Sequence, residues 1–172
     1  MFGYRGKIVN VDLSNGSTSV TSLDEDLLRS FIGGAGLGAR LLYDMIDSET
    51  DPLSPQNPLL YLTGPLCGTM APTGSKSTFC SRSPKTGILG YSTVGGHLGA
   101  DLKFAGYDGI IITGASEKPC YLLIENSDVE IRDANHLWGK NTEEVWEELK
   151  SQAQAYIRIG KGNNLLKLLL YP

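Results

Sequence analysis

Apolar and polar residues alternate from Lys7 to Asp12, where Ile8, Val9 and Val11 stand among polar neighbours, and extended character returns from Thr18 to Thr21. Asn15-Gly16 lies between them, a step that readily takes the positive backbone angles of a tight turn, so the pattern predicts a hairpin. Ser22 followed three residues later by Glu25 has the spacing of a capping box, and Leu27, Leu28, Phe31 and Ile32 recur at helical intervals, which predicts a helix starting near Leu23. Each of Gly33, Gly34, Gly36 and Gly38 costs a helix about 1 kcal/mol relative to alanine. A break or a close backbone approach is therefore expected there, before a second helical stretch from Ala39 to Ile46 carrying Leu41, Leu42, Met45 and Ile46.

Three prolines between Asp51 and Pro58 cannot donate to a ladder and push their predecessors into extended backbone, so this stretch reads as a surface connection. Leu59 to Thr63 follows as a buried strand. From Gly64 to Gly114 there are 11 glycines in 51 residues, which suits backbone held close to something rather than long regular elements. Within that region Ser77 to Ser81 and Gly87 to Thr93 read as strands around a Ser83 to Gly87 turn. A short helix from Gly96 to Phe104, ended by Gly106, and a buried strand from Gly109 to Thr113 complete it.

Cys120 to Glu125, a turn at Asn126-Ser127-Asp128, and Val129 to Asp133 form another hairpin, followed by Asn141 and Glu144 as a capping box over Val145, Trp146 and Leu149. Hairpin-plus-helix units thus flank the glycine-rich middle. That order predicts an α+β fold with mixed and antiparallel sheets, and an internal duplication packed about a pseudo-two-fold axis. Residues 1–155 read as one domain. Residues 156–172 read as a divergent or truncated end of it, in which Tyr156 to Ile159 suits a strand. Leu165 to Tyr171 suits either a last strand or an altered, associating terminus.

With 172 residues, 41% of them apolar, the chain can fill one sizeable core. A net charge of −4 and a pI near 5.1 leave no basic footprint for nucleic acid or an anionic membrane. The apolar runs fall far short of the roughly 20 residues that span a bilayer, and no signal-peptide apolar region opens the chain, so a cytoplasmic location is expected. Cys67, Cys80 and Cys120 have neither disulfide-framework nor CxxC spacing and read as small buried hydrophobes.

Ser92-Thr93-Val94-Gly95-Gly96 passes from a strand end through two glycines into a helix start, where backbone amides are unpaired and the helix dipole favours negative charge. A phosphate could sit there with Lys76 as counter-charge. The same residues also suit a plain glycine turn beside a solvated lysine. Gly34-Ala35-Gly36-Leu37-Gly38 lacks the preceding strand, spacing and acidic partner of a dinucleotide loop and reads as a helix break or helix-packing segment. His97 and His136 have no metal-site spacing. Ser75, Ser77 and Ser81 lack a nucleophile elbow, and Glu143, Glu144, Glu147 and Glu148 suit an exposed helix face. No catalytic residue is assigned.

From Tyr4-Arg5-Gly6-Lys7 through Trp138-Gly139-Lys140, the text resembles the aldehyde ferredoxin oxidoreductase family. Carrying the resemblance are Asp51-Pro52-Leu53-Ser54-Pro55, Gly64-Pro65-Leu66, Ala71-Pro72-Thr73-Gly74, Ser83-Pro84 with Thr86-Gly87, Gly95-Gly96, Leu102-Lys103-Phe104-Ala105-Gly106-Tyr107-Asp108 and Ile131-Arg132-Asp133-Ala134. They occur in one order over about residues 1 to 152. The resemblance implies the first domain of a three-domain oxidoreductase, forming the base for a tungsten or molybdenum bis-pterin (molybdopterin). Later domains, absent from this sequence, would supply the cysteines of a [4Fe-4S] cluster. It further implies oxidation of an aldehyde to a carboxylate, electron transfer through the cluster to ferredoxin, and room for a homodimer. The pterin-phosphate arginine of the family falls on Lys76 and an asparagine of the family on Thr93, while Gly95 aligns unchanged beside Gly96. The implied role of Thr93 is a main-chain carbonyl contact to a magnesium ion bridging the two pterin phosphates. Without the rest of the cradle, the isolated chain is expected to bind no metal pterin tightly and to oxidise no aldehyde. Two other readings stay open: a non-catalytic accessory or partner-binding fragment, and the cradle domain of a related aromatic thioester reductase.

Overall fold

The computed structural model describes residues 2–141 and 143–149, together with the backbone of residues 165–170. β1 (Lys7–Asp12) and β2 (Ser17–Ser22) form the expected hairpin, with Ile8 opposite Thr21 and Val11 opposite Thr18. Asp12 closes its loop by accepting from the amide of Ser14 at 2.9 Å and the side-chain amide of Asn15 at 2.8 Å, while Gly16 takes φ +69°. The other edge of β1 runs parallel to β6 (Gly109–Thr113). β3 (Leu59–Thr63), β4 (Ser77–Arg82) and β5 (Leu89–Val94) continue the sheet antiparallel, giving the order β2-β1-β6-β3-β4-β5.

Period-two alternation divides the side chains of this sheet between two cores. Ile8, Leu60, Leu62, Cys80 and Ile111 pack with Leu28, Leu37 and Leu42 of the helices on one face. On the other, Val9, Val11, Tyr61, Ile110 and Ile112 pack with Leu102, Leu122 and Ile124. Burial on both faces explains why Leu59 to Leu62 and Ile110 to Ile112 are continuously apolar instead of alternating. A second sheet sets β7 (Cys120–Glu125) between β8 (Asp128–Asp133) and β9 (Leu165–Leu170), both antiparallel to it. The last-strand reading of the terminal apolar run therefore holds for residues 165–170; Tyr156 to Ile159 lie outside the described residues.

The α+β class is as expected, and four local readings are corrected. Ser22 is the last residue of β2, opposite Lys7, so it caps no helix. Asp24 does, accepting from the amides of Asp26 and Leu27, and α1 spans Glu25–Phe31. The chain breaks over Ile32 to Gly34, with Ile32 and Gly34 at positive φ, and α2 (Gly34–Met45) already contains Gly34, Gly36 and Gly38. Those glycines let the helix lie on β4: a Cβ at Gly38 would run into the Cys80 sulfur, and one at Gly34 would come within 3.2 Å of the Thr78 hydroxyl. The cost in propensity is offset by close packing, which a sequence pattern does not weigh. The next strand and helix each start two residues later than expected, with β5 at Leu89 and α3 (Leu98–Phe104) after two free glycines. The duplication is not confirmed: the hairpins stand in different sheets, β1 parallel to β6 and β7 antiparallel to β9. A short 3₁₀ turn (Asn135–Leu137) leads to α4, residues 143–149, whose capping box is as expected. The Asn141 side-chain oxygen accepts from the Glu144 amide, and the Glu144 carboxylate from the Asn141 amide, each at 2.9 Å. Among the described residues, no helix is long and apolar enough to cross a membrane.

Candidate functional site

The ladder between β4 and β5 ends at the pair Ser77 and Val94, one step after Thr78 and Thr93. Lys76 and Gly95 therefore meet one residue beyond the sheet, and β5 is its edge strand. Lys76, Thr93, Gly95 and Gly96 are all exposed, so the four residues singled out in the sequence are brought together on one rim. Gly96 takes φ +88°, a left-handed value that turns the chain into α3, and neither glycine would bring an added Cβ within 4 Å of any atom. The space outside the bend is open. Among the described residues, the amides of Gly95, Gly96 and His97 donate to no main-chain carbonyl.

Hydroxyl groups tie the carbonyls of this segment down. Ser75 donates to the Gly96 carbonyl at 2.9 Å, and the Ser77 hydroxyl lies 3.5 Å from the Val94 carbonyl and 2.8 Å from the Tyr61 hydroxyl. Burial pushes the Tyr61 phenol up to about 12, with the Ser77 hydrogen bond opposing, so it stays a neutral hydrogen-bonding group. Burial likewise raises the Cys67 thiol, against a hydrogen bond with Ser75, which makes it an inert packing group under the turn. Among the described residues, no three histidine, cysteine or acidic side chains gather as a metal site.

Lys103 and Asp108, legible in the sequence only as part of a family motif, form a buried ion pair behind the turn, with side chains 4% and 2% exposed. The Lys103 ammonium also donates to the Gly3 carbonyl at 2.9 Å and lies 5.3 Å from the Tyr4 ring centre. The other Asp108 oxygen accepts from the amides of Arg5 at 2.9 Å and Gly6 at 2.6 Å, and Arg5 Nε donates to the Lys103 carbonyl at 2.8 Å. These bonds pin the far end of α3 to the N-terminal segment, which sets where its near end meets Gly96. The spacing of a lysine five residues before an aspartate marks the two residues in the sequence, but not their pairing with each other or with the N-terminal segment.

Asp101, in the first turn of α3, has its carboxyl pushed up by burial, with the His97 charge pulling it back. A folded-state value above the unfolded one means that Asp101 supports folding only while protonated. That contribution is complete below the ordinary carboxylate range and disappears as pH rises through the folded value. Asp101→Asn is accordingly expected to raise the melting temperature at pH 7. The gain should close as the scan is repeated toward about pH 4; a gain independent of pH would contradict the desolvation cause.

The model of the aldehyde ferredoxin oxidoreductase N-terminal domain matches residues 8–168. A tungsten-containing aldehyde ferredoxin oxidoreductase of Pyrococcus furiosus is 42% identical over 172 residues, covering 97% of this chain and 28% of the relative. The WOR-like subunit of an aliphatic sulfonate oxidoreductase from the same organism is 42% identical over 162 residues, covering 92% of this chain and 26% of its own. Among solved structures, the BamBC active-site complex of benzoyl coenzyme A reductase with 1,5-dienoyl-CoA superposes with a TM-score of 0.85 at 38% identity. That match covers 89% of this chain and 23% of the other. The chain thus spans little more than a quarter of the length of these two curated relatives.

Proposed function

This chain belongs to the aldehyde ferredoxin oxidoreductase family through that family's N-terminal domain, and from this premise we propose that its Lys76 and Thr93 to Gly96 rim holds the phosphates of a tungsten bis-pterin. One observation carries the reading: an open, exposed bend whose amides lack main-chain acceptors, with an ammonium group one residue beyond the paired strands. Such a bend fits a phosphate because each amide offers a fixed donor and Lys76 adds full positive charge without obstructing approach. Lysine lacks the planar fork of arginine, so its contact is a point-charge attraction that tolerates movement of the ligand. As the edge strand, β5 directs alternate carbonyls away from the sheet, and the main-chain carbonyl of Thr93 would help hold a magnesium ion that offsets the phosphate charge. When bound, the metal pterin supplies the redox chemistry by which an aldehyde becomes a carboxylate, with ferredoxin as acceptor and a [4Fe-4S] cluster as relay.

A second reading is favoured by the benzoyl coenzyme A reductase neighbour: the same rim serving an enzyme that reduces an aromatic thioester. The polypeptide carrying this domain, purified from its source, is expected to oxidise aldehydes; benzoyl-CoA reduction without aldehyde oxidation would select the second reading.

The rim itself is tested by grafting this chain in place of the matching segment of the Pyrococcus furiosus aldehyde enzyme and measuring tungsten and pterin per polypeptide. Lys76→Ala is expected to lower occupancy at limiting cofactor by about 10- to 150-fold, in line with loss of a charge-assisted contact of about 1.5–3 kcal/mol. Lys76→Arg should restore it. Equal occupancy in all three proteins would overturn the assignment of Lys76.

A further inference from the structure

We infer that Ser75 is a positioning residue for the Thr93 to Gly96 rim: its hydroxyl holds the Gly96 carbonyl inward, so that the His97 amide faces the ligand together with the Gly95 amide and the Lys76 ammonium. This role rests on the phosphate reading of the rim and extends it to a residue for which the sequence showed no chemistry.

The two amides owe their directions to different parts of the fold. The Ser83 amide donates to the Ile88 carbonyl at 2.8 Å, and alternate pairs of an antiparallel ladder exchange main-chain bonds. Two-residue steps along the register lead from that pair to Ser77 and Val94, so the Val94 carbonyl is turned toward β4. A trans peptide points its N–H opposite to its carbonyl. The sheet itself therefore aims the Gly95 amide away from β4, and there the ladder stops. Among the described residues no main-chain amide donates to the Gly96 carbonyl, and Gly96, at φ +88°, lets the next peptide turn at little cost. The Ser75 hydroxyl holds this carbonyl at 2.9 Å, and the same opposition within the peptide then sends the His97 amide outward.

Two further contacts place Ser75 for this task. The Lys76 amide donates to the Gly74 carbonyl at 2.9 Å, a three-residue turn with Ser75 at its centre, so one tight turn carries both the hydroxyl and the ammonium. Across from it, a Cβ at Gly99 would stand 2.8 Å from the Cys67 sulfur and 3.1 Å from the Ser77 Cβ, so glycine lets the start of α3 settle close enough to meet Ser75. One serine thus joins the segment that carries the charge to the segment that carries the amides, and sets their spacing.

The test adds Ser75→Ala and Ser75→Thr to the grafted enzyme and measures tungsten and pterin per polypeptide at limiting cofactor, beside Lys76→Ala. Ser75→Ala is expected to lower occupancy by about two- to ten-fold, the range of one neutral hydrogen bond, and Ser75→Thr, which keeps the hydroxyl, to restore it. Occupancy lowered by Lys76→Ala but not by Ser75→Ala would overturn the role of Ser75 and leave the rim intact, and no change with either would overturn both. A lower melting temperature of the cofactor-free protein at unchanged occupancy would make Ser75 a structural tie alone, and loss that threonine does not restore would show that the hydroxyl is not the cause. The bond is also read without any ligand, in the ¹³C,¹⁵N-labelled 172-residue chain, where Ser75→Ala should move the Gly96 carbonyl resonance upfield. A resonance that stays in place would overturn the inference even if the graft takes up no cofactor.

Discussion

Asparagine in place of Asp108 is expected to destabilise the domain by about 3–5 kcal/mol, because it leaves the Lys103 ammonium buried without its counter-charge. The amide oxygen of asparagine can still accept from Arg5 and Gly6, so lost backbone anchoring is not the main effect. What remains is a cation whose surroundings are the Gly3 carbonyl and the Tyr4 ring, too little to replace a carboxylate. At about 2–4 °C per kcal/mol for a domain of this size, the melting temperature should fall by about 6–20 °C. Lys103→Met should cost a similar amount. Combining Lys103→Met with Asp108→Leu should cost far less than the sum of the single replacements, since the desolvation penalty of both charges disappears with them. Additive losses in chemical denaturation would show that the two groups act separately.

The other large effect is at Leu62, which is fully buried in β3 between two glycines. One of its methyls lies 3.2 Å from the Cβ position of Gly38 in α2, and the other occupies the space where a Cβ on Gly109 of β6 would stand. Leu62→Ala is expected to cost about 2–5 kcal/mol by emptying this joint between sheet and helix. Gly109→Ala should cost about 1–3 kcal/mol by overfilling it. The double variant should recover part of that loss, because the new methyl enters the vacated space. Recovery stays incomplete because the added Cβ also stands 2.9 Å from the Tyr61 carbonyl. Denaturant midpoints of the four proteins measure the coupling, and a coupling within about 0.5 kcal/mol of zero would contradict this account.

Strand positions were readable because burial imposes its period directly on the chain: Ile8, Val9 and Val11, and the continuous runs at Leu59 and Ile110, carry their environments in their neighbours. Boundaries were less readable where tertiary contacts decided them. Ser22 and Asp24 are equally good caps in isolation, and pairing with Lys7 commits Ser22 to β2. Gly34 and Gly38 look like helix breakers until β4 is placed beneath them. Of the candidate site, Lys76, Thr93, Gly95 and Gly96 were legible as residues, whereas the Ser75 bond to the Gly96 carbonyl was not, since it joins residues about 20 positions apart in the chain.

By itself, the sequence determined the hairpins, the buried strands, the glycine-rich bend and, through collinear motifs, the family resemblance. These rest on local periodicity, turn chemistry and residue identity. The tertiary structure alone decided that β1 runs parallel to β6, that Lys103 meets Asp108 within a clamp on the N-terminus, and that the amides of Gly95 to His97 are left without main-chain acceptors. Whether an amide is free, or a charge paired, depends on which atoms arrive from distant parts of the chain, and no local pattern encodes that arrival.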